Sequence, residues 1–112
     1  MSNVSLCMNW KLKGLILTIL FVVLSLPVFS QVTGDYRSKS TGDWNSASTW
    51  QIYNGVIWVN ATSYPGQNSN VGTVTIGSGN TVTLNVDITS YTIDKLIIGD
   101  ESGGTDTLSL PN

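Results

Sequence analysis

Hydrophobic and polar residues alternate strictly along one stretch in the second half of the chain. In residues 81–89, single polar residues separate the apolar positions Val82, Leu84, Val86 and Ile88. A period of two places alternate side chains on opposite faces of an extended strand. The pattern therefore predicts one long strand with a single buried face.

Shorter runs of β-favouring residues predict further strands at residues 73–76, 96–98 and 107–110. After residue 30, no apolar spacing of three or four residues persists for two helical turns. The chain beyond that point is therefore expected to be all-β.

Two parts of this β-rich region have similar sequences. Ile76-Gly77 recurs 22 residues later as Ile98-Gly99, and residues 81–84 recur 26 residues later as residues 107–110. The four extra residues fall in the turn, as expected of stacked coils whose strands must stay in register. One coil cannot bury its apolar face alone, but stacked coils can. We therefore predict the first coils of a right-handed parallel β-helix, with an antiparallel β-sandwich as the alternative.

Residues 50–59 predict a β-hairpin ahead of these coils. Asn54-Gly55 separates two β-favouring runs and favours a two-residue type I′ turn. That turn would pair Tyr53 with Val56 and Ile52 with Ile57. The predicted core face carries Trp50, Ile52, Ile57 and Val59, and the opposite face carries Tyr53 and Trp58.

The first thirty residues have the features of a secretory signal peptide. Lys11 and Lys13 precede an uncharged apolar run over residues 14–29, and Val28 and Ser30 fit the −3 and −1 positions of a signal-peptidase site. Cleavage after Ser30 predicts a secreted or cell-surface protein without a stable membrane span. An uncleaved anchor is the alternative, because the run is only a little shorter than the roughly 20 residues that span a bilayer.

Three segments are therefore expected. They are a signal peptide (1–30), a tryptophan-rich hairpin cap with its loop (31–70), and the first β-helix coils (71–112). Residues 31–112 contain three basic and seven acidic side chains. This excess of acids excludes nucleic acid as an expected partner.

The residue types that are missing also restrict the chemistry. The chain has no histidine, and its single cysteine, Cys7, lies in the predicted signal peptide. Ser-His-Asp and Cys-His catalysis and ordinary zinc sites are therefore excluded from residues 31–112. We expect no enzymatic activity and no cofactor in this segment.

One turn could still hold calcium. Residues 100–106 are rich in glycine and carry the hard oxygen ligands Asp100, Glu101 and Asp106. The turn matches neither an EF-hand loop nor the calcium-binding nonapeptide repeat. A plain Asp/Gly turn is the alternative.

The aromatic residues before the coils suggest a second candidate site. Trp58 and Tyr53 share the predicted outer face of the hairpin, where they could stack on the sugars of an extracellular polysaccharide. Large aromatic residues more often fill a core or cover an open end. The tryptophans at positions 44, 50 and 58 could therefore serve as core, cap or binding residues.

Several short motifs resemble a known group of proteins. They are Trp44–Trp50 (WNSASTW), Tyr64–Gly66 (YPG), Val74–Ile76 (VTI), Gly79–Leu84 (GNTVTL) and Leu96–Gly99 (LIIG). Together they resemble the N-terminal segment of large secreted surface proteins of Gram-negative gliding bacteria, and are similar to the eight-glycine domain. In those families a tryptophan-bearing hairpin leads into a right-handed β-helix, and a sorting domain for type IX secretion follows.

The resemblance implies a non-catalytic, adhesin-like or structural segment of an exported cell-surface protein. Its expected partners are the remaining coils of the same polypeptide, since residues 110–112 follow a strand that should stack under another coil. The alternative is an accessory part of an extracellular polysaccharide-degrading enzyme whose catalytic region lies outside these residues.

Overall fold

The computed structural model describes residues 30–112, so the predicted signal peptide and Cys7 lie outside the described residues, apart from Ser30. The described chain is mostly short strands with one 3-10 turn, which confirms the all-β class. The elements are β1 (Tyr36–Ser38), β2 (Gly42–Asp43), the 3-10 turn (Ala47–Thr49), β3 (Trp50–Tyr53), β4 (Trp58–Asn60), β5 (Val71–Ile76), β6 (Thr81–Thr83), β7 (Ile93–Ile98) and β8 (Thr107–Ser109).

The strands form two sheets. The five-stranded sheet has the order β4-β3-β1-β5-β7, and the three-stranded sheet has the order β2-β6-β8. β1, β5 and β7 run parallel, and so do β2, β6 and β8, whereas β3 is antiparallel to β1 and β4. A wholly parallel second sheet does not fit the antiparallel sandwich considered above.

The parallel pairs have the offsets seen in the sequence. Ile76 pairs with Ile98 in the five-stranded sheet, and Thr81 pairs with Thr107 in the three-stranded sheet. Val74, Ile76 and Val82 are completely buried and pack in one hydrophobic core. The two sheets therefore share a core that the β-branched residues of β5 and β6 fill.

The long strand predicted over residues 81–89 is wrong in its length. β6 ends at Thr83, and the structure gives no strand to residues 84–92. Side-chain burial nevertheless alternates, because Leu84, Val86 and Ile88 pack against the core while the polar residues between them are exposed. Alternation of apolar and polar residues therefore indicates alternate burial in an extended chain. A strand also needs a neighbour to which its backbone can hydrogen bond.

The hairpin forms, but its predicted register is wrong by two residues. Tyr53 pairs with Trp58, and Ile52 pairs with Val59. A type I′ turn at Asn54-Gly55 would need a positive φ at both residues, yet only Gly55 has one, at 98°. The Asn54 side-chain oxygen instead accepts hydrogen bonds from the backbone N–H groups of the two residues after Gly55. This side-chain cap moves the centre of the turn one residue along the chain. The partner of each β3 residue therefore changes by two positions.

A shift of two residues preserves the two faces of the hairpin. Trp50 is fully buried, and Ile52 packs against the core as predicted. Tyr53 and Trp58 lie opposite each other on the other face. Ile57 was predicted to lie on the core face, but it falls in the turn and is 58% exposed.

Two tryptophans pack against each other in the core. The Trp44 and Trp50 rings meet edge to face, with centroids 5.0 Å apart. Trp50 Nε1 donates to the Trp44 carbonyl oxygen at 2.9 Å, and Trp44 Nε1 donates to the Pro65 carbonyl oxygen at 3.0 Å. Both indoles therefore bury their rings without leaving an N–H group unpaired. No helix in residues 30–112 is long and apolar enough to cross a membrane.

Truncation of Trp50 should strongly destabilise the protein. Trp50→Ala removes a completely buried ring and breaks the hydrogen bond to Trp44, so we expect a loss of about 3–5 kcal/mol in the free energy of unfolding. Chemical denaturation followed by circular dichroism measures this loss. Trp58→Ala, on the outer face, is the matched control and should cost clearly less. The reverse order of the two losses would contradict the assigned faces.

Candidate functional site

The outer side of the hairpin brings polar and aromatic side chains together. The Tyr53 and Trp58 rings lie 5.4 Å apart between centroids, at an interplanar angle of 58°. The guanidinium carbon of Arg37 lies over the Trp58 ring, 4.5 Å from its centroid. A cation at this distance from an indole face is attracted by the negative face of the ring. The two residues predicted as a ligand site are therefore adjacent, and Arg37 joins them.

Amide side chains hold the basic groups in place. Arg37 Nε donates to Gln51 Oε1 at 2.9 Å, and Lys39 Nζ donates to Asn60 Oδ1 at 3.0 Å. Because both acceptors are neutral, they orient the two cations without cancelling their charge. We call this group the outer hairpin face; it consists of Arg37, Lys39, Gln51, Tyr53, Trp58 and Asn60.

Strand alternation explains why these side chains meet. Arg37 is the exposed residue of β1, between buried Tyr36 and Ser38, and it pairs with Gln51 of β3. Sequence reasoning missed Arg37 because no strand was predicted at residues 36–38. Three residues carry too short an alternation to indicate a strand without knowledge of its neighbours.

The turn predicted as a calcium site is hydrogen bonded to the turn between β5 and β6. One oxygen of Asp100 accepts from the backbone N–H of Ser78 at 2.9 Å, and Asp106 accepts from the backbone N–H of Gly79 at 2.7 Å. The other oxygens of these carboxylates accept from the backbone N–H groups of Ser102 and Asp100. Asp100 and Asp106 thus connect two turns through backbone hydrogen bonds.

The third predicted ligand, Glu101, is exposed and has a left-handed φ of 61°. Within residues 30–112, no three His, Cys, Asp or Glu side chains are grouped so that they could hold a metal ion. A calcium ion at Asp100, Glu101 and Asp106 would have to compete with the backbone for the same oxygens. Calcium binding at this turn stays a prediction.

The two turns approach each other so closely that only glycine fits at their contact. A methyl group on Gly79 would overlap the carbonyl oxygen of Gly103, and one on Gly103 would overlap the backbone of Ser78. Both glycines also have positive φ, 73° and 75°. This backbone contact explains why glycine is needed at both turns.

The hydrogen bonds at this turn act on the acidity of Asp100. The backbone N–H of Ser78 is the largest cause that lowers the pKa of Asp100 below its ordinary value of 3.8, and Ser102 adds to the effect. Hydrogen bonds to a carboxylate favour its ionised form. Asp87 has a lowered pKa for a similar local reason, its hydrogen bonds to Thr89.

Comparison with known proteins gives no relative. No family model matches the chain, and neither a curated protein nor a solved structure does.

Asp100→Asn should destabilise the protein most at neutral pH. A carboxyl group whose folded-state pKa is depressed stabilises the fold above its unfolded-state pKa, and this stabilisation is lost as the pH falls through the folded-state pKa. The difference between wild type and variant should therefore be greatest near pH 6 to 7 and shrink below about pH 3. Urea unfolding at a series of pH values measures the difference. Asp94→Asn, at an exposed acid of β7, is the charge-matched control, and equal pH profiles for the two variants would contradict the role of Asp100.

Proposed function

We propose that residues 31–112 form the capped N-terminal end of a parallel β-helix. The segment has a structural, non-catalytic role in an exported cell-surface protein, with adhesion or the support of an adhesive region as its function. The observation that carries this proposal is the pairing of strands from three successive circuits of the chain in both sheets.

Each circuit contributes one strand to each sheet. The chain passes from β1 to β2, then from β5 to β6, and finally from β7 to β8, and every strand is parallel to its equivalent in the next circuit. Parallel neighbours require a long return connection between them. A coil that completes one turn per circuit supplies such a return, as in stacked solenoids.

Polar side chains at the corners support the same arrangement. Asn85 donates to the Asn45 side-chain oxygen at 3.0 Å, and the Asn45 backbone N–H donates back to Asn85 at 3.3 Å. Asn70 accepts from the backbone N–H of Thr92 at 3.0 Å. Each bond joins equivalent corners of successive circuits, so the corners stack in register as the strands do.

The two ends of the stack differ in exposure. Trp44, Trp50 and Pro65 are almost completely buried at the hairpin end, whereas Leu96 and Ile98 of β7 are 42% and 49% exposed. Leu96 and Ile98 pair with Val74 and Ile76, which are fully buried. Further coils of the same polypeptide are the proposed partner that covers this face, because they would continue the pairing already present.

Export is proposed from the sequence of the first thirty residues. A basic start, an apolar run and a Val28/Ser30 cleavage pattern are typical of proteins that cross a membrane and are then cleaved. The lack of histidine and of a thiol in residues 31–112 supports a non-catalytic role. An accessory role next to the catalytic region of a polysaccharide-degrading enzyme is the alternative.

The exported protein should begin at Gln31. N-terminal sequencing or intact-mass measurement of protein from the medium or the cell surface checks this expectation. Protein that keeps Met1 and fractionates with the membrane would instead support an uncleaved anchor.

Protein without further coils should self-associate through β7. Its apolar side chains and unpaired backbone groups form an exposed sheet edge, which readily pairs with another chain. Leu96→Lys together with Ile98→Lys should shift the protein toward monomer in sedimentation equilibrium. The matched control, Val56→Lys with Ile57→Lys at the equally apolar hairpin turn (79% and 58% exposed), should leave self-association unchanged. A monomeric wild type with a sharp, reversible thermal transition would contradict the open end.

A further inference from the structure

The basic side chains of residues 31–112 are concentrated on the outer side of the five-stranded sheet. Arg37 is the exposed residue of β1, and Lys39, directly after β1, reaches Asn60 of β4. Lys95 is exposed on β7, where it pairs with Thr73. The outer hairpin face thus carries two of the three cations of a segment with more acids than bases.

The side chains that hydrogen bond to Arg37 and Lys39 are amides and not carboxylates. Asp35 is buried, and its carboxylate accepts hydrogen bonds from two backbone N–H groups. Asp43 belongs to the three-stranded sheet, and Asp100 and Asp106 bind the backbone of the stacked turns. Asp94 lies on β7, at the opposite edge of the sheet from the hairpin. Because neutral amides and not carboxylates contact these two cations, the outer hairpin face can attract an anion although the segment as a whole is acidic.

We propose that the outer hairpin face binds an acidic polysaccharide whose carboxylates pair with Arg37 and Lys39 while a sugar ring packs against Trp58. Gln51 uses only Nε–H of the five N–H donors of Arg37. The remaining donors include the pair that a guanidinium offers to a carboxylate in bidentate fashion. The proposal does not depend on the structural role proposed above, because it concerns side chains on the solvent side of the sheet.

The aromatic residues give the site its preference for sugars. The Tyr53 hydroxyl donates to the Val56 carbonyl oxygen at 3.1 Å, which fixes the ring beside Trp58. Amphipathic rings of this kind present an apolar face to the C–H groups of a sugar and keep their polar atoms hydrogen bonded. The amides of Gln51 and Asn60 stand beside the two cations, where they can bind hydroxyl groups.

Polygalacturonate tests the proposal, with its fully methyl-esterified form as the uncharged comparison. The full chain should bind the acidic polymer in isothermal titration calorimetry at low salt, more weakly as salt screens the charges, and bind the ester at least about tenfold more weakly. Arg37→Gln and Trp58→Ala should each lower the affinity for the acidic polymer about tenfold. Lys95→Gln makes the same change in net charge, but two strands away from β1. It should lower the affinity for the acidic polymer less than about twofold. Circular dichroism and thermal melts of each variant verify the fold.

Several results would overturn the proposal. The wild type would fail to bind polygalacturonate, or it would bind the ester equally well. An equal loss of affinity in Lys95→Gln and Arg37→Gln would also overturn it, because it would indicate attraction by net charge alone. Tighter binding of single-stranded DNA of matched charge would assign the face to nucleic acid instead. If Trp58→Ala fails to fold, Arg37→Lys decides, since it keeps the charge but loses the bidentate geometry and should bind several-fold more weakly than wild type.

Discussion

The packing of Trp44 against Trp50 joins the two sheets within the core. Trp44 directly follows β2 of the three-stranded sheet, and Trp50 begins β3 of the five-stranded sheet. Their edge-to-face contact and the hydrogen bond between them connect residues that belong to different sheets. A segment of this size without a disulfide depends on such dense aromatic burial, because small domains bury too little surface to tolerate a poorly packed core. The packing of the two sheets against each other at this point depends on this one contact.

The sequence predicted those features that depend on local pattern. Residues 73–76 and 96–98 are strands, and so is the predicted strand 107–110 apart from its last residue. The hairpin exists, and Trp50 and Trp58 lie on opposite faces. Each of these features follows from the alternation of polar and apolar residues or from the Asn54-Gly55 turn residues. A short stretch of sequence contains both signals. The offsets of 22 and 26 residues also match the registers of β5 with β7 and of β6 with β8.

Features set by distant neighbours could not be predicted. β1 and β2 have three and two residues, so their strand character comes from the partners beside them and not from their own pattern. The hairpin register depends on how the Asn54 side chain bonds in the turn, and the end of β6 depends on where its neighbouring strand stops. In the candidate site, the alternation of the hairpin strands predicted Trp58 and Tyr53. Arg37 was missed because strand β1, which carries it, was not predicted.

The hairpin limits assembly at one edge of the five-stranded sheet. Only β3 runs against the other strands, because β4 is antiparallel to β3 and therefore has the direction of β1, β5 and β7. The edge strand β4 is three residues long, whereas β7 at the other edge has six residues. A second molecule that approaches with its β7 edge therefore meets an edge strand of the same direction but only half the length. Very short edge strands protect a sheet from edge-to-edge pairing, so β4 disfavours the head-to-tail addition of copies that would generate an open fibre. The short β4 thus protects one edge of the five-stranded sheet, while the six-residue β7 at the other edge stays able to pair.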